Sequence, residues 1–293
     1  MTPLAKFLEI VYPGQPAFLK EDWVQGFPIR HTFMIAAVMR LAERTQPPRP
    51  LRILEVGTWM GSSCLTWAEA LVRYNRSEGS LVGIDPLRPY FTADEMMSHL
   101  THDDPAVVDG QKRLLKEMGE LLEYDIVHDL LMHNMKCLPP TISFTLMRKP
   151  SREALAELAG RSFDLVYIDG SHFYEDVVHD VDWACKLAAV GGIVCGDDLE
   201  LQLHEVDRDF AVAHKAVDFP TDPKTGRQFH PGVTLAVAER LGQVANYFGF
   251  WAMWKTGESS FAPVQLGSEP VVVPFHFPPR IRDHVLSRFK PSS

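Results

Sequence analysis

The chain has 293 residues, of which 46% are hydrophobic, and its formal net charge at pH 7 is −9. This length and apolar content suffice for one buried sheet with helices on both faces. The negative charge argues against an enzyme that acts on nucleic acid, because such enzymes present a basic surface to phosphates. A small neutral or cationic substrate fits the charge better, and no apolar run reaches the ~20 residues that a membrane span requires.

The cysteines lie far apart in the sequence and form no Cys-x-x-Cys pair; they are Cys64, Cys137, Cys185 and Cys195. Three of them fall in apolar patterned segments, so we interpret them as reduced residues of the core. The first residues, from Met1 to Lys6, show no signal-peptide pattern. We therefore expect a cytoplasmic protein.

Residues 1–50 form a leader before the first predicted strand. A helical pattern extends from Phe33 to Glu43, and the proline-rich run from Pro47 to Pro50 ends the leader. We assign residues 51–255 to one α/β domain and residues 256–293 to a C-terminal tail that contains many prolines.

A glycine turn follows the first predicted strand. The apolar run from Leu51 leads into a turn that contains Gly57 and Gly61, and a helical pattern extends from Cys64 to Tyr74. Glycine allows the backbone to turn sharply and approach a ligand, and the next helix offers unpaired N–H groups to a carboxylate or phosphate. Three residues separate the two glycines, which is not the Gly-x-Gly-x-x-Gly spacing of dinucleotide enzymes.

The second predicted strand, Ser80 to Ile84, ends at Asp85. Doubly wound folds place an acidic residue on the ribose hydroxyls at about this interval. The alternative is a surface aspartate that begins the turn before Pro86. The order of glycine turn and acid favours the first interpretation, and we expect a cofactor that contains a nucleoside.

The segment from Pro86 to Thr141 is long for a single crossover, so we predict an insertion. It contains a polar turn, Thr101 to Asp104, and a helical pattern from Val107 to Leu122. The insertion is either a lid over the substrate or a solvated surface excursion.

Acidic residues follow two later strands. The run Phe163 to Ile168 ends in Asp169, with His172 three residues on, and the run Gly191 to Gly196 ends in Asp197 and Asp198. Three carboxylates at the carboxyl ends of neighbouring strands make an oxygen-rich site for a hard cation such as Mg²⁺. The alternative is that Asp169 caps a helix and that the acidic pair is an ordinary polar turn.

The remaining elements complete a sheet and a tail. We predict strand Ile142 to Met147, helix Arg152 to Leu158, helix Val233 to Leu241 and strand Tyr247 to Trp254, which closes the sheet. In the tail, the apolar run Val271 to Val273 is expected to pack on the core or on a partner subunit, which would make a homo-oligomer.

Four segments together resemble the class I S-adenosylmethionine-dependent methyltransferases: Glu55 to Ser63, Gly83 to Asp85, Tyr167 to His172 and Gly191 to Asp198. The resemblance covers about residues 26–255. Within this class, the chain most resembles the small-molecule O-methyltransferases. The interval of 28 residues from Asp169 to Asp197 resembles catechol O-methyltransferase, and Asp198 in place of its Asn resembles the macrocin-type sugar O-methyltransferases. The resemblance implies an α/β, Rossmann-like doubly wound, mostly parallel seven-stranded sheet with helices on both faces.

The resemblance also implies roles for individual residues. Those that would hold the methionine end of S-adenosylmethionine are Glu55, Gly57, Gly61 and Ser63, with Ser63 bonding the carboxylate. Asp85 would take the ribose hydroxyls. Ser151 would lie beside the adenine or simply serve as the N-cap of the helix that follows it, and both can hold. The expected ligands of Mg²⁺ or another divalent cation are Asp169, Asp197 and Asp198.

His172 stands where the catechol enzyme has a lysine, three residues after its first metal-binding aspartate. The resemblance implies that His172 is the general base and that Asp169, the other catalytic residue, helps the metal to hold the acceptor hydroxyl. The alternative for His172 is a structural histidine near a helix N-terminus. In the resembling enzymes a leader covers the cofactor, and Gly26 to Pro28 would form the edge of that cover; packing for stability alone is the alternative.

The sequence therefore predicts an S-adenosylmethionine- and metal-dependent O-methyltransferase that acts on a hydroxyl of a small molecule, such as a sugar, a phenol or another secondary metabolite. Neither a nucleic acid nor a membrane is expected as a partner. Two alternatives stay open: a non-catalytic cofactor-binding protein with the same fold, and a nicotinamide-dependent oxidoreductase, which the glycine spacing disfavours.

Overall fold

An eight-stranded, mostly parallel sheet forms the centre of the computed structural model, which describes residues 1–19, 27–75, 78–89 and 105–289, without the side chains of residues 105–107 and 111. The strands are β1 Leu51–Val56, β2 Gly79–Ile84, β3 Ile142–Met147, β4 Phe163–Ile168, β5 Ala188–Gly196, β6 Ala245–Tyr247, β7 Phe250–Lys255 and β8 Phe261–Pro263. Their order is β3-β2-β1-β4-β5-β7-β6, and β8 pairs with β7. The pairs among β1 to β5 are parallel, whereas β7 runs antiparallel to β5, β6 and β8.

The helices of the described residues are α1 Pro3–Val11, α2 Arg30–Arg44, α3 Ser62–Ala70, α4 Pro105–Glu123, α5 Ile126–Met135, α6 Ser151–Glu157, α7 Tyr174–Leu187, α8 Arg208–Ala213, α9 Pro231–Leu241 and α10 Pro279–Ser287. A π-helical turn, Leu71–Asn75, extends α3.

Different helices cover the two faces of the sheet. In β1, Leu51 and Ile53 belong to a core cluster with α2, α3 and α5, whereas Leu54 and Val56 belong to a second cluster with α6, α7 and α9. This alternation follows from the two-residue period of a strand. The expected doubly wound sheet with helices on both faces is confirmed, and the tail adds β8 to the seven strands that were predicted.

Several predicted bounds agree with the structure, and one predicted strand was wrong. Strands β3 and β4 have the predicted limits, and the predicted leader helix lies within α2. The single strand predicted from Tyr247 to Trp254 is a hairpin, because Phe248 and Gly249 both adopt positive φ, 59° and 98°, and turn the chain between β6 and β7. The residues that flank the turn are aromatic, so the run looked continuous.

The leader, insertion and tail pack around this sheet. Helix α1 packs on α5, and α2 packs on α3. In the tail, Val272 packs against the main core and Val273 is buried in a small cluster with α10, so this run contacts its own chain. The predicted turn Thr101 to Asp104 and Gly26 lie outside the described residues. Among the described residues, none of the helices combines the length and apolar character needed to span a bilayer.

Gly57 sets the distance between the ends of β1 and β4. Its φ is +87°, and a Cβ atom at this position would lie 1.8 Å from the carbonyl oxygen of Asp169. The Asp169 N–H donates to the Val56 carbonyl at 2.8 Å. Gly57 therefore allows Asp169 to lie directly against the glycine turn.

The substitution Gly57→Ala should lower the free energy of unfolding by about 2–4 kcal/mol, because the new methyl group overlaps the Asp169 carbonyl in a backbone conformation that strains L-residues. Gly160 is the matched control, because its φ is +80° and no atom would lie within 4 Å of its Cβ. Gly160→Ala should cost only about 1–2 kcal/mol. Urea unfolding measures both changes, and equal losses would contradict the steric explanation.

Candidate functional site

A cavity of about 610 Å³ opens at the carboxyl ends of the central strands. Eight of the ten predicted site residues line it: Gly57, Ser63, Asp85, Ser151, Asp169, His172, Asp197 and Asp198. They converge because β2, β1, β4 and β5 are neighbours in the sheet and run parallel, so their carboxyl ends meet at one edge. Open α/β sheets bind their ligands at such an edge.

The other two predicted residues, Glu55 and Gly61, do not line the cavity. Glu55 is only 2% exposed and accepts hydrogen bonds from the Ser63 hydroxyl and from the Cys64 thiol, the latter at 3.2 Å. Burial raises the pKa of Glu55 to about 7. Gly61 precedes α3 with φ +85°, and a Cβ there would lie 2.6 Å from the Met135 side chain. Glu55 thus holds the start of α3, and Gly61 ends the glycine turn where α3 begins.

Ser63 reaches the cavity, yet its hydroxyl donates to Glu55. A hydroxyl has one proton to donate, so donation to a cofactor carboxylate requires the hydroxyl to rotate. The predicted contact between Ser63 and the methionine carboxylate stays a prediction.

Asp85 connects the glycine turn to the end of β2 through hydrogen bonds. Its Oδ2 atom accepts the N–H groups of Thr58 and Trp59, each at 2.9 Å, and its Oδ1 atom accepts the Leu87 N–H at 2.8 Å. Burial raises the pKa of Asp85, and these backbone donors oppose that rise. The carboxylate lines the cavity and keeps acceptor capacity for a ribose hydroxyl.

Ser151 is not the helix N-cap that one interpretation predicted. Helix α6 begins at Ser151, and Pro150 takes the N-cap position, because proline fits just before or inside the first helical turn. Burial raises the pKa of Asp180, and Ser151 acts to lower it; Asp180 is a cavity residue that is 1% exposed and that no sequence pattern identified. The place of Ser151 beside an adenine stays a prediction.

Asp169 lines the cavity close to two other carboxylates, Asp197 and Asp198. Burial, Asp197 and Asp198 together raise its pKa well above the ordinary value of an aspartate. The hydroxyl of the buried Tyr167 donates to Asp169 Oδ2 at 3.1 Å. A carboxyl group in this position takes up a proton more readily than one in water.

Arg30, the first residue of α2, reaches the acidic cluster from the leader. Its guanidinium Nη1 lies 2.6 Å from Asp197 Oδ1 and 2.9 Å from Asp198 Oδ1, and Nη2 lies 2.8 Å from Glu200 Oε1. The Nε–H donates to the carbonyl of Phe248 at 2.6 Å. Sequence reasoning missed Arg30, because nothing near it in the chain marks it as a partner of residues more than 160 positions away.

His172 is held by two carboxylates. Its Nδ1 atom lies 2.6 Å from Asp218 Oδ1, and its Nε2 atom lies 2.9 Å from Asp198 Oδ2. Burial acts to lower the pKa of His172, but Asp218 and Asp198 outweigh burial and raise the pKa well above the ordinary value. Asp218 was also missed, because it lies in a polar segment without a recognisable pattern.

A second histidine extends this cluster. The ring of His230 lies 4.2 Å from that of His172, centroid to centroid, and its Nδ1 atom lies 2.9 Å from Glu200 Oε2. Glu200 thus joins Arg30 to His230. The only local signal for His230 is its place before Pro231, where α9 begins.

The expected metal ligands do not fit a divalent cation in this arrangement. Arg30 pairs with Asp197 and Asp198, two of the three acids that the resemblance implies. Within the described part of the chain, the sets of ligand atoms that converge within 4.8 Å contain neither Asp169 nor Asp197; they are His172, Asp218 and His230, and Asp198, Glu200 and His230. Both of these sets are already joined internally by hydrogen bonds.

Comparison with known proteins identifies the central part of the chain. Residues 54–199 match the family model described as a methyltransferase domain. An uncharacterized protein, y4gI, of Sinorhizobium fredii is 27% identical over 68% of this chain and 20% of its own length. The chain thus spans about a fifth of that curated relative.

The solved structures that align with this chain include O-methyltransferases. CalS11, a TDP-rhamnose 3′-O-methyltransferase of calicheamicin biosynthesis, is 17% identical, with 85% of this chain and 90% of that chain covered and a TM-score of 0.41. The O-methyltransferase NovP is 14% identical, with 76% of this chain and 78% of that chain covered and a TM-score of 0.44.

The substitution Asp85→Ala should weaken the binding of the predicted cofactor by about 1.5–3 kcal/mol, because the ribose hydroxyls lose a charged acceptor and the turn loses its fastening. Asp222→Ala is the matched control: Asp222 also accepts backbone N–H groups, from Asp207 and Thr225, and it lies away from the cavity. Calorimetric titration with S-adenosylmethionine measures the effect. An unchanged affinity in folded Asp85→Ala would remove Asp85 from the binding site.

Proposed function

We propose that the chain is a class I S-adenosylmethionine-dependent methyltransferase, from the premise that residues 54–199 match a methyltransferase domain. The proposed reaction is transfer of the methyl group to a hydroxyl of a small molecule, such as a sugar or a phenol. One observation carries the proposal. A single cavity joins the glycine turn and Asp85 to the pair Asp169 and His172, so a cofactor and a proton acceptor can meet within it.

The cofactor end of the cavity is formed by the glycine turn, Asp85 and Ser151. When bound, S-adenosylmethionine supplies a methyl group on a sulfonium centre. In the proposed pose, the unpaired N–H groups at the start of α3 hold the methionine carboxylate, and Asp85 holds the ribose. This pose directs the sulfonium toward the acidic end of the cavity, where carboxylates favour its positive charge.

The acceptor end is formed by Asp169 and His172. A hydroxyl must lose its proton as the oxygen attacks the methyl carbon, and a positioned side chain can take that proton. Both ring nitrogens of His172 face carboxylates, so the group acts as a base only after the imidazolium has lost its Nε2 proton to solvent; Asp218 then retains the Nδ1–H and leaves the lone pair on Nε2. We propose that the acceptor hydroxyl displaces the Asp198 carboxylate from Nε2 and donates its proton to that nitrogen. Asp169 orients the hydroxyl.

No step of this proposal uses a divalent cation, because two of the three implied ligands, Asp197 and Asp198, are paired with Arg30. The size of the cavity supports a small acceptor rather than a polymer. A cytoplasmic location and a homo-oligomeric state stay predictions from the sequence.

Methyl transfer from labelled S-adenosylmethionine to a panel of sugars and phenols tests the proposed activity directly. The wild-type protein should label at least one hydroxylated acceptor, and the mass of the product should rise by one methyl group. Calorimetry with S-adenosylmethionine and with NAD separates the methyltransferase from an oxidoreductase. Cofactor binding without labelling of any acceptor in the panel would favour the non-catalytic alternative.

The pH dependence tests His172 as the base. Only the neutral imidazole accepts a proton, and its pKa is raised by Asp218 and Asp198, so the rate should rise with pH through a value above the ordinary ~6.5. Asp218→Asn removes one negative charge that stabilises the imidazolium, so the rising limb should move to lower pH.

His172→Ala should lower kcat by about 10²–10⁴-fold with little change in cofactor affinity. His179→Ala is the control, because this histidine also bonds an aspartate, Asp180, but does not line the cavity. Steady-state rates across pH, with one acceptor throughout, measure both variants. If His172→Ala keeps the parent's rate and pH profile, another group takes the proton.

A further inference from the structure

Arg30 uses all three of its guanidinium nitrogens inside the acidic cluster. Nε donates to the Phe248 carbonyl, Nη1 donates to Asp198 and forms an ion pair with Asp197, and Nη2 donates to Glu200. The side chain is only 7% exposed. Arginine is the cation best suited to such a place, because its planar group satisfies several carboxylates at once and is weakly hydrated.

The backbone around the Arg30 guanidinium has conformations that leave space for this side chain. A Cβ at Gly249 would lie 2.2 Å from Arg30 Nη2, so this position leaves no room for a side chain. Phe248 and Asp198 adopt positive φ, 59° and 60°, which residues with side chains rarely do. Such conformations persist where the surroundings over-determine them. The Phe27 ring lies 5.2 Å from the guanidinium carbon and adds a cation–π contact.

The same contacts leave few oxygens for a metal ion. Both oxygens of Asp198 are engaged, Oδ1 by Arg30 and Oδ2 by His172, and Asp197 Oδ1 is engaged by Arg30. Mg²⁺ needs oxygen ligands at about 2.1 Å in near-octahedral geometry. A divalent ion at these oxygens would have to displace the guanidinium or lie beside its positive charge.

We propose that the Arg30 guanidinium takes the place of a divalent cation in this site, so that the chain supplies its own cation and binds Mg²⁺ or Mn²⁺ there only when Arg30 is removed. Arg30 is a positioning residue: it holds Asp198, and Asp198 bonds His172. The inference rests on the proposed function for the location of the reaction. Metal binding can nevertheless be measured without any methyl transfer, so the two proposals fail separately.

Mn²⁺ binding to chelator-treated protein, followed by electron paramagnetic resonance, tests this inference. The wild-type protein should hold no stoichiometric Mn²⁺ at this site up to about 1 mM free ion, the range of weak protein sites. Arg30→Gln should gain one Mn²⁺ site, at least about tenfold tighter, because three carboxylates lose their cation. Adding Asp197→Asn to Arg30→Gln should abolish the gained site.

Arg40→Gln is the matched control. It removes the same charge from the same helix, but Arg40 pairs with Glu43 and Glu269 away from the cavity, so Mn²⁺ binding should not change. Arg30→Lys keeps a cation and should gain no site. If Arg30→Gln does not fold, the wild-type and Arg30→Lys titrations decide. Micromolar binding of one Mn²⁺ by the wild-type protein that Asp197→Asn abolishes would overturn the proposal.

Discussion

The arrangement of the acidic end of the cavity depends on one buried interaction, the guanidinium of Arg30 among Asp197, Asp198 and Glu200. It connects the start of α2 to the end of β5 and to the turn between β6 and β7. Removing one partner of a buried charge cluster costs about 3–5 kcal/mol, because the remaining charges lie uncompensated. The leader therefore contributes a residue, Arg30, to the site. Through Asp198 this interaction also reaches His172, the residue to which we assign proton transfer.

A second constraint, steric rather than electrostatic, forms the cofactor end. The end of β1 approaches the end of β4 so closely that only glycine fits at position 57, and Asp85 binds the following turn by its backbone N–H groups. Glu55 and Gly61 support this turn without lining the cavity. The residues that the family resemblance assigns to the cofactor thus form two groups. One group lines the cavity, and the other supports the backbone of the glycine turn without lining the cavity. Substitutions in the second group should act on the cofactor only through the backbone.

The sequence predicted the parts of the molecule that local patterns determine. Strand β4 is a largely apolar run and β3 alternates apolar and polar residues, and both lie between turn residues, so their limits were predictable. The parallel order of β1, β4 and β5 brings Asp169 close to Asp197 and Asp198. The partners of these acids could not be predicted in the same way. Arg30, Asp218 and His230 meet them across the fold, and tertiary packing rather than spacing selects them. A lone arginine at the start of a helix has no local feature that separates it from a surface residue.

The resemblance predicted three acids and a metal, whereas the structure pairs two of those acids with a guanidinium. Crystals grown with S-adenosylhomocysteine and soaked in MnCl₂ test this difference most directly, through the anomalous signal of manganese. We predict density for the Arg30 guanidinium between Asp197 and Asp198 and no anomalous peak at their oxygens. A manganese peak about 2.2 Å from those carboxylates, with Arg30 displaced, would contradict the account.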